Sequence, residues 1–383
     1  MRQRMIQIAL LSLTYVGLSA LLFAIPSTSK AQSECRPQGI SSIWETDFCL
    51  FQVGVFDEIL SGGVPRDGIP PIDSPTFESL EDAGTWLRPQ SPVIAFELDG
   101  IARAYPLAIL TRHEIVNDLF GNSPIAITFC PLCNSAVVFK RQIDGQTLRL
   151  GVSGLLRNSD LIMWDEQTES WWQQFTGEGI VGEYTGAQLE MLPSQVVSFG
   201  AFSEQFPDGQ VLSRSGRNYG TNPYVGYDST SQPFLFRGEF DDRLPPTERV
   251  LAGLLAGQAM AYPFPILAEL GVINDQIGER QVVAIWQPGA TSALDESSID
   301  DSRDVGMAAL YNRELDGQVL TFRLESDGKI LDDATGSVWN IFGTAIDGAL
   351  KGSQLRQELA FPHFWFAWFA FRPETEVYGI DVP

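Results

Sequence analysis

The stretch RAYPLAILTRHEIVNDLFG, from Arg103 to Gly121, returns further along the chain as MAYPFPILAELGVINDQIG, from Met260 to Gly278. Ala104, Tyr105, Pro106, Ile109, Leu110, Asn117, Asp118 and Gly121 are matched by Ala261, Tyr262, Pro263, Ile266, Leu267, Asn274, Asp275 and Gly278. RQIDGQTL at Arg141 returns as RELDGQVL at Arg313, and WDEQTESWWQQFTGEGIVG at Trp164 returns as LDDATGSVWNIFGTAIDG at Leu331. The matches keep one order in both halves, so the chain reads as an internal duplication whose halves fold alike.

Local signals give the unit its class. PVIAFELDGIARAYPL has two alternating apolar runs around Asp99-Gly100, the mark of a β-hairpin, and Asp144-Gly145 marks another. LAILTRHEIVNDLFG spaces its apolar residues as a helix does and is predicted to end at Gly121 as a C-cap. SPIAITFC and SAVVFKRQIDGQTLRL read as strands. The expected fold class is α+β: a β-rich duplication of two antiparallel-sheet units with short helices. Residues 93–212 form the first unit, 213–246 a connector rich in Gly, Ser, Asn and Pro, and 247–383 a second, degenerate unit.

The chain opens with Arg2 and Arg4, an apolar run from about Ile6 to Ile25 and small residues at Ser29 and Ala31. That order predicts an export signal over residues 1–31, with an uncleaved membrane anchor as the alternative, and hence a periplasmic or extracellular protein. Formal net charge is −23, which repels phosphate backbones and excludes nucleic acid as a partner class. A metal ion or small molecule is the expected partner, and the membrane is met only through the N-terminal segment. In an oxidising compartment Cys35 and Cys49, in the lead over residues 32–92, are expected to form a disulfide.

The remaining cysteines, Cys130 and Cys133, sit two residues apart between strand-like runs. The duplication supplies an internal control. In register His113 faces Leu270, Cys130 faces Gln287 and Cys133 faces Ala290, so three soft ligand types are missing together from the second copy. A Cys-x-x-Cys on a turn between strands points both sulfurs at one centre, whereas a redox-active pair opens a helix, and no helical stripe follows Cys133. We therefore expect a site for copper or zinc made by His113, Cys130 and Cys133, with Met163 or His363 as a fourth ligand. LGVSGLLRNSDL precedes Met163 only in the first unit, and its Ser153, Arg157, Asn158 and Ser159, with Asn134 beside the thiols, are expected to line the site. ALDESSIDDSRDVG in the second unit reads as a solvated loop. Two other readings stay open: a thiol–disulfide oxidoreductase using Cys130 and Cys133, and a non-enzymatic binding module in which that pair is a structural disulfide. Whether the protein is an enzyme is therefore left undecided at this point.

GGVPRDGIPPID at Gly62, RAYPLAILTRHEIVND at Arg103, TFCPLCNSAVVF at Thr128, GVSGLLRNSDLIMWDEQTESWWQ at Gly151, NPYVGYD at Asn222 and FWFAWFAFRPET at Phe364 together resemble a secreted prokaryotic family. It is catalogued as domain of unknown function 3179, and the likeness covers roughly Gly62 to Glu376. The resemblance implies a family and no activity.

Overall fold

The computed structural model describes residues 35–37 and 39–381; the segment read above as an export signal lies outside them. Among the described residues no helix is long and apolar enough to cross a membrane. The architecture is β-rich, with several antiparallel sheets and a few short helices.

The first half contributes β1 (Ile59–Ser61), β2 (Pro92–Leu98), β3 (Ile101–Pro106), α1 (Leu107–His113), β4 (Ile115–Phe120), β5 (Ser123–Cys130), β6 (Ser135–Lys140), β7 (Leu150–Arg157), β8 (Asp160–Asp165), β9 (Trp171–Gln173) and β10 (Gly179–Val181). The second contributes β11 (Arg249–Leu255), β12 (Gln258–Pro263), α2 (Phe264–Leu270), β13 (Val272–Ile277), β14 (Arg280–Gln287), β15 (Met307–Asn312), β16 (Phe322–Leu324), β17 (Ile330–Asp332), β18 (Val338–Trp339), β19 (Ala345–Asp347), β20 (Ala360–Phe364) and α3 (Trp365–Phe371).

The predicted hairpins form. Leu98 pairs with Ile101 across Asp99-Gly100, both at positive φ (53° and 78°), which is the backbone a two-residue turn of this hand demands. Leu255 pairs with Gln258 across Ala256-Gly257 in the same conformation.

Strand order recurs between the halves. In one sheet β2 lies between Gln195–Ser198 and β3, and Gln210–Leu212 joins β3 in parallel; in another, β11 lies between β20 and β12, and Glu376–Val377 joins β12 in parallel. The meander β4-β5-β6 matches β13-β14-β15, and β7-β8-β9-β10 matches β16-β17-β18-β19. Hydrogen bonds recur too. Tyr105 donates to Asp118 and Tyr262 to Asp275; Trp172 Nε1 donates to Asp165 at 2.9 Å and Trp339 Nε1 to Asp332 at 3.0 Å. A buried indole N–H must find an acceptor, so each tryptophan and its aspartate work as one core unit.

Two expectations are corrected. The helix ends at His113, not Gly121: Glu114 leaves the helical region (φ 58°, ψ −31°), and IVNDLF continues as β4, where Ile115 and Val116 prefer the pleated backbone. The acidic loop from Ala293 is not simply solvated. Leu294 is fully buried, and the amide of Asn222 in the connector bonds the Ser297 carbonyl at 2.9 Å.

The core is not split between the halves. One cluster gathers Ile94, Cys130, Cys133, Met163 and Trp172 with Val250, Ala252, Phe364 and Trp368; another joins Val93 and Val197 to Val283, Tyr311 and Trp339. Disulfide Cys35–Cys49 forms as expected, and the lead that carries it packs on the first half. Trp44, Phe48 and Val55 pack on Ile162, Trp164 and Trp171, the outer face of β8 and β9.

The connector is clamped at Asp228, whose fully buried carboxylate accepts from Arg249 and Arg303, each at 2.9 Å. Replacing Arg249 by alanine strands part of that buried charge. Thermal or denaturant unfolding is expected to show a loss of about 3 kcal/mol.

Candidate metal centre

The CPLC turn builds the site from the backbone up. Cys130 ends β5 and pairs with Ser135, which opens β6, so residues 131–134 are the hairpin connection. Pro131 presets the first φ of a short 3₁₀ turn, and Asn134 (φ 48°) closes it in the left-handed region that asparagine tolerates. Both sulfurs thereby fall on one side of the turn. Cys130 and Cys133 are free thiols, 2% and 0% exposed.

The third member comes from the β7–β8 hairpin. Asn158 and Ser159, at φ 52° and 68°, make a two-residue turn that brings Asp160 over the thiols. Ligand atoms of Cys130, Cys133 and Asp160 all lie within 4.8 Å of one another. Asp160 Oδ2 accepts from Gln173 Nε2 at 2.6 Å and from the Phe175 amide at 3.0 Å, while its Oδ1 is buried with no N–H or O–H partner. Ser135 Oγ, Gln173 Oε1 and Gln174 Oε1 are buried and unpartnered in the same neighbourhood. Gln174 donates to the Ser135 carbonyl, Gln173 to Asp160, and Ser135 pairs with Cys130.

The electrostatics are one-sided. Burial pushes the Asp160 carboxyl up to about 7, with hydrogen bonds from Gln173, the Phe175 amide and the two thiols pulling it back. Glu114 is pushed up to about 8, first by burial and then by the charge of Asp160. Burial also raises both thiols, Cys133 the more strongly. Four acids thus share a buried volume, and among the described residues neither carboxylate has an ion-pair partner. A cation is the natural countercharge for such a group.

His113 does not join them. Its Nδ1 is 2.7 Å from the Pro70 carbonyl oxygen, which can only accept, so Nδ1 carries the proton. Nε2 is left to accept from the Tyr219 hydroxyl at 3.1 Å, with Arg217 at 3.4 Å. Both ring nitrogens are therefore engaged in holding the Pro70 and Tyr219 segments against α1, and the group whose ligand atoms converge is Cys130, Cys133 and Asp160, without His113.

His363 and Met163 take other places. His363 lies fully buried between the rings of Phe175 (4.4 Å) and Trp368 (5.4 Å); burial drives its pKa down to about 3, and Nδ1 has no partner. Met163 is a wholly buried core side chain, paired across its strands with Val152 and Trp172. Of the expected lining residues, Ser159 is nearest: its carbonyl lies 3.9 Å from the Cys130 sulfur and its hydroxyl donates to Phe234. Ser153 bonds the Ile162 carbonyl, Arg157 is ion-paired to Glu58, and Asn134 and Asn158 act as turn residues.

A cavity of about 370 Å³ adjoins the cluster, walled by Leu132, Leu155 and Leu161, by Tyr224, Tyr227 and Phe234 of the connector, and by Glu114. Leu132 lies between the two cysteines, and the Leu161 amide donates to Cys130. Glu114 and Asp160 were legible in principle. Asp160 is one of the polar residues of the insertion LGVSGLLRNSDL, and Glu114 faces Gly271 in the repeat register. The backbones agree: Glu114 at φ 58°, ψ −31° and Gly271 at φ 69°, ψ −35°. Glycine adopts that conformation freely; glutamate does so at a cost, which points to a use for its side chain.

Fold and site together define a β-rich protein organised round a buried dithiol–carboxylate centre. The chain belongs to the family described as protein of unknown function (DUF3179), whose sequence model matches residues 66–375. Comparison with curated proteins and with solved structures returned no match.

Proposed function

We propose that the protein binds one zinc ion through Cys130, Cys133 and Asp160. What carries the reading is the convergence of three buried ligand atoms, within 4.8 Å of one another, with no basic side chain paired to the carboxylate. Zinc accepts thiolate and carboxylate together and is content with three protein ligands when the fourth position is kept for water or a ligand. Copper(I) comes second, because an oxygen donor suits it poorly.

Thiol–disulfide exchange is the weaker alternative. The sulfurs are buried, the pair opens only a three-residue 3₁₀ turn and no α-helix, and burial raises their pKa values when a nucleophilic thiol needs a lowered one. The matching strand orders and repeated hydrogen bonds support a duplicated ancestral unit of which only the first copy kept a site. The N-terminal sequence and the Cys35–Cys49 disulfide favour an exported protein, in which a bound ion would also protect the free thiols from oxidation.

Metal analysis of the full chain, expressed with its own leader and purified without chelator, is expected to give close to one zinc per chain. Removing the ion should lower the melting temperature, since it binds the folded site only. Purified protein that carries no metal and gains no thermal stability on zinc addition overturns the reading.

A further inference from the structure

We infer that the cavity beside Cys130 and Cys133 is a binding site for a small apolar molecule carrying an ammonium group, which Glu114 recognises. The inference stands on the cavity and Glu114 and does not rest on the zinc reading. At about 370 Å³ the cavity is in the range that takes a small organic ligand. Its walls are chiefly aliphatic, with aromatic faces from Tyr224, Tyr227 and Phe234, and among the described residues no basic side chain lines it.

Glu114 is the charged group in that lining, and among the described residues its carboxyl has no partner. The residue is 7% exposed, and its side chain lines the cavity and makes no hydrogen bond or ion pair with any described residue. Its backbone amide and carbonyl, by contrast, are both bonded, to Leu110 and Phe129 at 2.8 Å each. The segment is thus held firmly while the carboxyl is held in reserve, in a left-handed conformation that the matching position reaches with glycine. An anionic ligand finds no basic side chain among the described lining residues to pair with. A cation fits: it pairs with the carboxylate, sits against the tyrosine faces, and leaves its apolar body for the leucines.

The test uses three molecules of nearly one shape, benzylamine, benzyl alcohol and benzoate, titrated calorimetrically into the full chain, both zinc-loaded and chelated. Benzylamine is expected to bind about tenfold or more tighter than the alcohol, and benzoate not to bind. Glu114→Gln should cut amine affinity about tenfold and leave the alcohol unchanged, while Leu155→Trp, filling the cavity from a half-buried position, should abolish both. Equal binding of amine and alcohol, an unaltered amine affinity in Glu114→Gln, or no binding by any of the three overturns the inference. Absence of zinc with amine binding intact sinks the metal reading alone.

Discussion

With zinc held as proposed, Asp160→Asn is expected to weaken zinc binding at least about 100-fold, while His113→Ala leaves stoichiometry unchanged. The argument is one of charge and place. Two thiolates and one carboxylate present three negative charges to a dication, and the amide keeps an oxygen but removes the charge that makes that oxygen a strong ligand. Asparagine also keeps the volume, and its oxygen can still accept from Gln173 and the Phe175 amide, so the hairpin turn should survive. Cys130→Ser should behave as Asp160→Asn does. Zinc titration followed by metal analysis separates the cases: retention in Asp160→Asn together with loss in His113→Ala would return the imidazole to the ligand set and sink the geometry described here.

The second large effect runs the other way. Glu114→Gly is expected to stabilise the metal-free protein by about 1–3 kcal/mol, because it removes both a non-glycine residue from a left-handed backbone and an unpartnered carboxyl from the interior. Chemical denaturation at pH 7 measures it. The gain should grow with pH. Glu114 keeps its proton to about pH 8 in the folded chain and loses it near the ordinary 4.5 when unfolded. Its contribution is therefore complete below about 4.5 and is lost as pH rises through about 8. From pH 5 to pH 9 the wild type should lose ground to Glu114→Gln by on the order of a few kcal/mol. A difference that stays flat across that window would mean that the carboxyl is not buried as described. Stability gained by deleting a side chain is the mark of a residue kept for use rather than for folding.

Much of the fold was legible because its signals are local. Asp99-Gly100 and Asp144-Gly145 fix tight turns wherever they lie in a chain, and the alternating runs beside them have no good use but as strands. The failures were also local. Leu107 to Phe120 carries a spacing that suits a helix over its whole length, and nothing in the periodicity says that Glu114 turns left-handed and hands the chain to β4.

Recurrence of motifs gave the register, and the register isolated Cys130 and Cys133 as a pair absent from the second half. It also held Glu114 against Gly271, a contrast in which glycine is the informative partner. Packing decided the rest. Asp160 reaches the thiols only because a two-residue turn at Asn158-Ser159 folds β8 back, and Tyr224 and Tyr227 meet the cavity only because the connector is clamped by Arg249 and Arg303 on Asp228.

The amino-acid sequence by itself determined the repeated strand pattern, the turn positions and the two cysteines, since each follows from backbone preference or spacing within a few residues. Tertiary structure alone decided which third group stands beside the sulfurs and where His113 spends its two nitrogens. Those are matters of contact between segments some 30 to more than 100 residues apart, such as Cys130 with Ser159 or His113 with Tyr219, and no local rule of spacing reaches that far.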